Sequence, residues 1–142
     1  MSERKQYILS KKWSRFFLVQ ALYEWQLNQS NISSIARHFS ENALFEKANN
    51  EYFHELLQQI TQNRNDLDAM ITPYIDRELD LIDPVERAIL WLGCYELKFH
   101  PELPYKVVIN EALELAKKFG AEGSHRYINS ILDKVVKASK GA

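Results

Sequence analysis

Ser124, His125, Arg126 and Tyr127 stand in a row just after Gly123. A hydroxyl, a full positive charge and an aromatic ring within four residues are the parts needed to hold a phosphate and stack a base. Glycines flank Ala121 and Glu122, and apolar residues fall into helical register from Ile128 onward, which reads as a turn and a new helix. The first turn of a helix favours anions, because its backbone N–H groups lack intrahelical partners and its dipole is positive there. An acidic side chain would suit that turn better than Arg126. A cationic first turn makes sense when a phosphate is the missing partner; an incidental exposed basic turn is the alternative. Ser124 would then cap the helix or donate to the phosphate, and Tyr127 borders the inward face set by Ile128 and Ile131.

A second set lies near the start of the chain. On a helical wheel Lys12, Phe16, Val19 and Tyr23 fall within about 60° of one another. Arg15 flanks them, and Lys11 precedes them. Cations for phosphates, interleaved with aromatic faces for bases, are what single-stranded RNA needs. Packing of Phe16, Val19 and Tyr23 against a second layer is the competing reading.

Catalysis finds little to work with. His38, His54, His100 and His125 are dispersed, and no pair has the spacing of a zinc motif. Cys94 lies in the most apolar stretch, a poor place for a reactive thiolate. Glu111 and Glu114 share a helix face and, without metal partners, read as a solvated face. No Gly-rich phosphate loop is present. No catalytic residue, metal or cofactor is expected.

The elements that must position these residues are helices; no long stretch alternates with period two. A first helix is predicted from Ser10 to Asn28, with Phe17, Leu18, Ala21, Leu22 and Trp25 inward. A short second helix follows over Ile32–Phe39. A third starts near Asn49 or Asn50 and carries Phe53, Leu56, Leu57, Ile60, Leu67 and Ile71 up to Pro73. Asp83, Pro84 and Glu86 make the clearest helix start: cap, first position and capping-box acid. The helix they open is apolar nearly all round and so central. Pro104 opens the next, with Gly120 as a left-handed cap at its end. The last begins near Gly123 or Ser124. The result is an all-α bundle of six to seven helices.

At 142 residues the chain suits a single domain, and its 46% hydrophobic content supplies a core. One cysteine excludes an internal disulfide and fits a cytoplasmic protein. No apolar run approaches the ~20 residues of a membrane span, and the first residues lack the apolar stretch of a signal peptide, so no membrane partner is expected. The charge is unevenly placed. Residues 1–15 hold Arg4, Lys5, Lys11, Lys12 and Arg15 against Glu3, a net of +4. Residues 117–142 are also +4, and a total of −1 leaves the middle at −9. Local charge governs contacts, since screening acts within about 8 Å at physiological salt.

FFLVQALYEWQLNQ (16–29), DPVERAILWLGCYEL (83–97) and PYKVVINEALELAKKFGAEGSHRYINSILDK (104–134) together resemble the bacterial transcription antitermination factor NusB family. The resemblance implies an all-α fold of two packed three-helix halves forming one RNA-binding domain over residues 1–142. It implies binding of the boxA element of nascent ribosomal RNA transcripts, together with the ribosomal protein NusE, within an RNA polymerase antitermination complex. It implies no cofactor and no catalysis. By position, Lys11, Lys12 and Arg15 take the place of the family's Arg-rich start, Tyr23 matches an RNA-contact position, and Ser124, Arg126 and Tyr127 match the other side of the RNA surface. Glu86, with Asp83 beside it, falls where the family contacts NusE. Trp13 interrupts the basic run, and lysine lacks the bidentate fork of arginine, which lowers the expected affinity. Gly123 stands where an acidic residue is familiar, removing a negative charge beside the phosphates.

Two other functions fit the same residues. A protein-interaction adaptor would use the acidic middle without touching RNA. A stand-alone version of the RNA-binding domain of an rRNA cytosine methyltransferase is disfavoured as part of a whole enzyme, since 142 residues leave no room for a cofactor domain.

Overall fold

The structure, a computed structural model, describes residues 1–29 and 31–141. Among them every regular element is helical, and the chain divides into two compact units, Met1–Gln62 and Asn63–Ala142.

The first unit contains α1 (Glu3–Asn28), α2 (Ile32–Ser40), a 3-10 turn over Ala43–Lys47 and α3 (Asn50–Gln62). Each start is set by a short polar side chain. Ser2 Oγ accepts from Lys5 N–H at 3.2 Å, Asn31 from Ser33 N–H at 2.8 Å, and Asn49 from Tyr52 N–H at 3.1 Å. The Ser2 cap is why α1 begins at Glu3, about two turns before the predicted Ser10. Gln29, at φ 50°, ends the helix and donates its N–H to the Trp25 carbonyl. The core is aromatic: Phe17, Phe45 and Phe53 meet with centroid separations of 5.2 and 5.0 Å, and Phe39 closes on Phe17 at 6.3 Å. Each such ring contributes roughly 1.5–3 kcal/mol by leaving water. Buried Ser14 pins α1 to the start of α3, donating to the Asn49 carbonyl at 2.7 Å and accepting its N–H at 2.8 Å.

The predicted third helix is two helices. Asn63, at φ −105° and ψ 17°, leaves the helical basin, and α4 (Arg64–Ile71) follows as the first helix of the second unit. Asparagine is a weak helix former because its amide competes for nearby backbone groups. The apolar period continues through the break, so Phe53 and Ile71 are both buried, yet in different units.

The second unit adds short 3-10 turns at Thr72–Tyr74 and Leu79–Leu81, then α5 (Pro84–Phe99), α6 (Tyr105–Phe119) and α7 (Ser124–Gly141). Helix α5 packs on α4, α6 and α7, which explains its nearly continuous apolar surface. Trp91 and Cys94 are buried there, and Trp25 in the first unit, as the sequence predicts. Burial pushes the Cys94 thiol up to about 12, with the Asp68 charge adding to the effect. Asp68 is itself buried on α4. It accepts from Arg87 at 2.7 Å and from the Trp91 indole at 2.8 Å, tying α4 to α5. Glu111 is buried where α6 packs, so it does not form the solvated face expected of it beside Glu114. Gly120 is also not the left-handed cap; it is extended, at φ −84° and ψ 167°. It is glycine for space: a Cβ there would lie 2.7 Å from both the Ala116 carbonyl oxygen and Ser124 Cβ. The left-handed position belongs to Gly123, at φ 86°.

Candidate nucleic-acid and partner surfaces

In the first unit the candidate residues lie along α1, but not as one open stripe. Lys11 and Arg15 are only 8% and 4% exposed. Their charged ends gather over one ring on α3: Lys11 Nζ lies 4.5 Å from the Tyr52 centroid, and Arg15 Cζ lies 5.7 Å from it. A second ring, Tyr7, holds Lys11 from α1 itself at 4.7 Å. Such cation–ring contacts are worth about 0.5–2 kcal/mol and fix where the charge sits. Lys12 is half-buried. Val19, expected on the RNA side, is 1% exposed and belongs to the core; Phe16 is half-buried against Trp13 and Phe17. Tyr23, 39% exposed, is the one member of that wheel face whose ring stands well out in solvent.

In the second unit the candidates converge on the start of α7. Ser124 is 5% exposed, and its hydroxyl donates to Glu86 Oε2 at 2.7 Å. The hydroxyl that the sequence offers as a helix cap or a phosphate donor is therefore given to a carboxylate of α5. The first N–H groups of α7 go elsewhere: those of Arg126 and Tyr127 meet the Gly123 carbonyl. Arg126 is exposed. Tyr127 is half-buried, and the guanidinium of Arg77 lies 4.6 Å from its ring centroid. Arg77 in turn donates to Asp76 at 2.7 and 3.2 Å, a bond that holds the Asp76 carboxyl below the usual carboxylate range. The Tyr127 hydroxyl oxygen is buried without a hydrogen-bond partner among the described residues, and burial raises its pKa, with the nearby Arg77 charge opposing.

Asp83 is exposed and caps α5, accepting the N–H groups of Val85 and Glu86 at 2.8 and 3.3 Å. Its neighbour Glu86 already holds Ser124. The structure thus joins one residue expected to bind RNA to one expected to bind a protein. Two contributors escaped sequence reasoning. Tyr52 carries no basic or motif signal of its own, and Arg77 sits in an irregular segment fifty residues from the ring it covers. Among the described residues no group of histidines, cysteines and carboxylates could hold a metal ion, and no helix is long and apolar enough to cross a membrane.

The NusB family model matches residues 13–137, nearly the whole chain. The chain belongs to the NusB family. Over 134 residues it is 47% identical to the transcription antitermination protein NusB of Acinetobacter baumannii (strain AYE), covering 94% of this chain and 89% of that protein. The structure of T. maritima NusB superposes with a TM-score of 0.80 at 28% identity, over 89% of this chain and 90% of that one. A NusB chain solved with NusE and double-stranded RNA matches with a TM-score of 0.78 at 25% identity, over 91% of this chain and 97% of that one. The family is one of antitermination factors, not of enzymes.

Proposed function

We propose that this protein is a cytoplasmic transcription antitermination factor. Its two units act as one RNA-binding domain that takes single-stranded boxA-type RNA from nascent ribosomal transcripts, together with the NusE ribosomal protein, within the RNA polymerase antitermination complex. The observation that carries this reading is the likeness over 91% of the chain to a NusB caught with NusE and RNA. Support from the residues themselves comes from exposed Tyr23 on α1 and from Arg126 beside Tyr127 on α7. An open aromatic face for a base stands in the first unit, and an open cation for a phosphate stands in the second.

On the partner side, Asp83 and Glu86 open α5 with two carboxylates in a chain segment that is strongly acidic. A basic ribosomal protein suits it, and charge complementarity would chiefly speed association.

An electrophoretic shift tests the reading. The labelled RNA is boxA, offered as a single strand and as a duplex, with and without NusE. Tighter binding of the single strand, strengthened by NusE and weakened by salt, is expected. Equal affinity for a scrambled strand would remove the boxA assignment. Preference for the duplex would remove the single-strand assignment, and binding of NusE alone would leave an adaptor.

A further inference from the structure

The first helix begins eight residues before the basic cluster read from the sequence, and this adds a charged segment to it. Residues 3–10 continue α1 as regular helix, capped by Ser2. Within that extension Arg4 and Lys5 are exposed. Neither side chain is held in an ion pair or over a ring among the described residues, in contrast to Lys11, which lies between Tyr7 and Tyr52.

Their direction is as telling as their freedom. At 3.6 residues per turn, Arg4, Ile8, Lys12, Lys5 and Tyr23 all fall within about 100° of one another. Glu3, the acidic residue of these first turns, lies about 100° or more away from both cations. Arg4 stands roughly 12 Å along the axis from Lys12 and roughly 28 Å from Tyr23. The exposed apolar residues Tyr7, Ile8 and Leu9 point to different sides of the helix, so the extension has no single apolar face for a membrane or a coiled coil. Helix stability does not account for the cations either, since positive charge in a first turn opposes the helix dipole.

We propose that Arg4 and Lys5 are further RNA-binding residues, and that the extended α1 carries the backbone of the bound strand past Lys12 toward the chain's start. Lys11 and Arg15 then serve mainly as positioning residues, fixed on Tyr52, while the freely exposed charge of this face lies two turns earlier. The inference rests on the RNA-binding reading above. It concerns phosphates, so it adds affinity for any strand long enough to reach and adds no base preference.

The double variant Arg4→Ala/Lys5→Ala tests it, measured by fluorescence anisotropy against a boxA RNA with several added nucleotides on each side, over a salt titration. Two lost phosphate contacts should make the slope of log affinity against log salt shallower by about 1.4, at roughly 0.7 per phosphate of a single strand. The scrambled RNA should lose the same increment, and trimming the added nucleotides from one end should abolish the difference between variant and wild type. Both side chains are exposed, so the melting temperature should not move. A variant with wild-type affinity and slope overturns the inference and leaves the RNA-binding reading in place. A wild-type protein without salt-dependent RNA binding overturns both.

Discussion

The α1 face and the start of α7 use the same residue types in opposite ways. On α1 the cations are stored and the ring is open: Lys11 and Arg15 lie over Tyr52, while Tyr23 faces solvent. On α7 the cation is open and the ring is covered: Arg126 is exposed, while Tyr127 lies beneath Arg77. An open ring can take a base at once. A covered ring must either share its other face or lose its cation first. On the proposed RNA-binding reading, stacking would fall chiefly to the first unit and free charge chiefly to the second, apart from the extension at Arg4 and Lys5.

The largest effect should come from the open ring. Tyr23→Ala should weaken boxA binding by about 1–3 kcal/mol with the salt slope and melting temperature unchanged. Binding that survives this change intact, in protein of normal melting temperature, removes the stacking role. Next comes the hydrogen bond under α7. Ser124→Ala leaves the Glu86 carboxylate without its donor and should lower unfolding free energy in urea by about 1.5 kcal/mol, while leaving the RNA salt slope as it was. A lost slope instead would return Ser124 to the phosphate. Glu86→Lys, at the other end of that bond, should also slow association with NusE, most clearly at low salt; an unchanged rate in a surface-binding measurement would count against the docking edge.

Charge removal gives smaller, graded effects. Arg126→Ala should reduce the salt slope by about 0.7. Lys11→Ala should reduce it by less, because its ammonium is held between two rings. Equal losses at the two positions would erase the distinction between stored and open charge. The smallest effect is expected at Tyr127→Phe, which keeps the ring under Arg77 and removes a buried hydroxyl that has no partner among the described residues. Binding should not change, and stability should stay level or rise by a few tenths of a kcal/mol. Because burial raises the Tyr127 phenol above its ordinary value of 10.0, the fold favours the neutral form. Its contribution is intact below pH 10 and is lost as pH rises through the higher folded value; Tyr127→Phe should remove that alkaline loss.

Much of this fold was legible because its apolar residues repeat at helical spacing: every inward residue assigned to α1 and α7 is buried. The capped start of α5 was legible too, since Asp83 and Pro84 carry their meaning side by side; Glu86, expected to complete a capping box, instead accepts from Ser124. What could not be read depends on partners distant in sequence. The Tyr52 ring that takes up Lys11 and Arg15 arrives from α3, and the Glu86 that claims the Ser124 hydroxyl lies 38 positions away. The break at Asn63 was hidden because the apolar period runs through it unchanged. The exchange of roles between Gly120 and Gly123 was hidden because it turns on how closely Ser124 approaches the backbone.

The hydrogen bond from the Trp91 indole to Asp68 gives the second unit its own optical reporter. The chain has three tryptophans, and Trp13 and Trp25 both belong to the first unit. With those two changed to phenylalanine, the remaining emission comes from a ring that is 2% exposed and bonded to a buried carboxylate, so its colour shifts when α4 leaves α5. Compared in one denaturant titration with a protein carrying only Trp25, it would reveal whether the halves of this molecule melt as one cooperative body or as two.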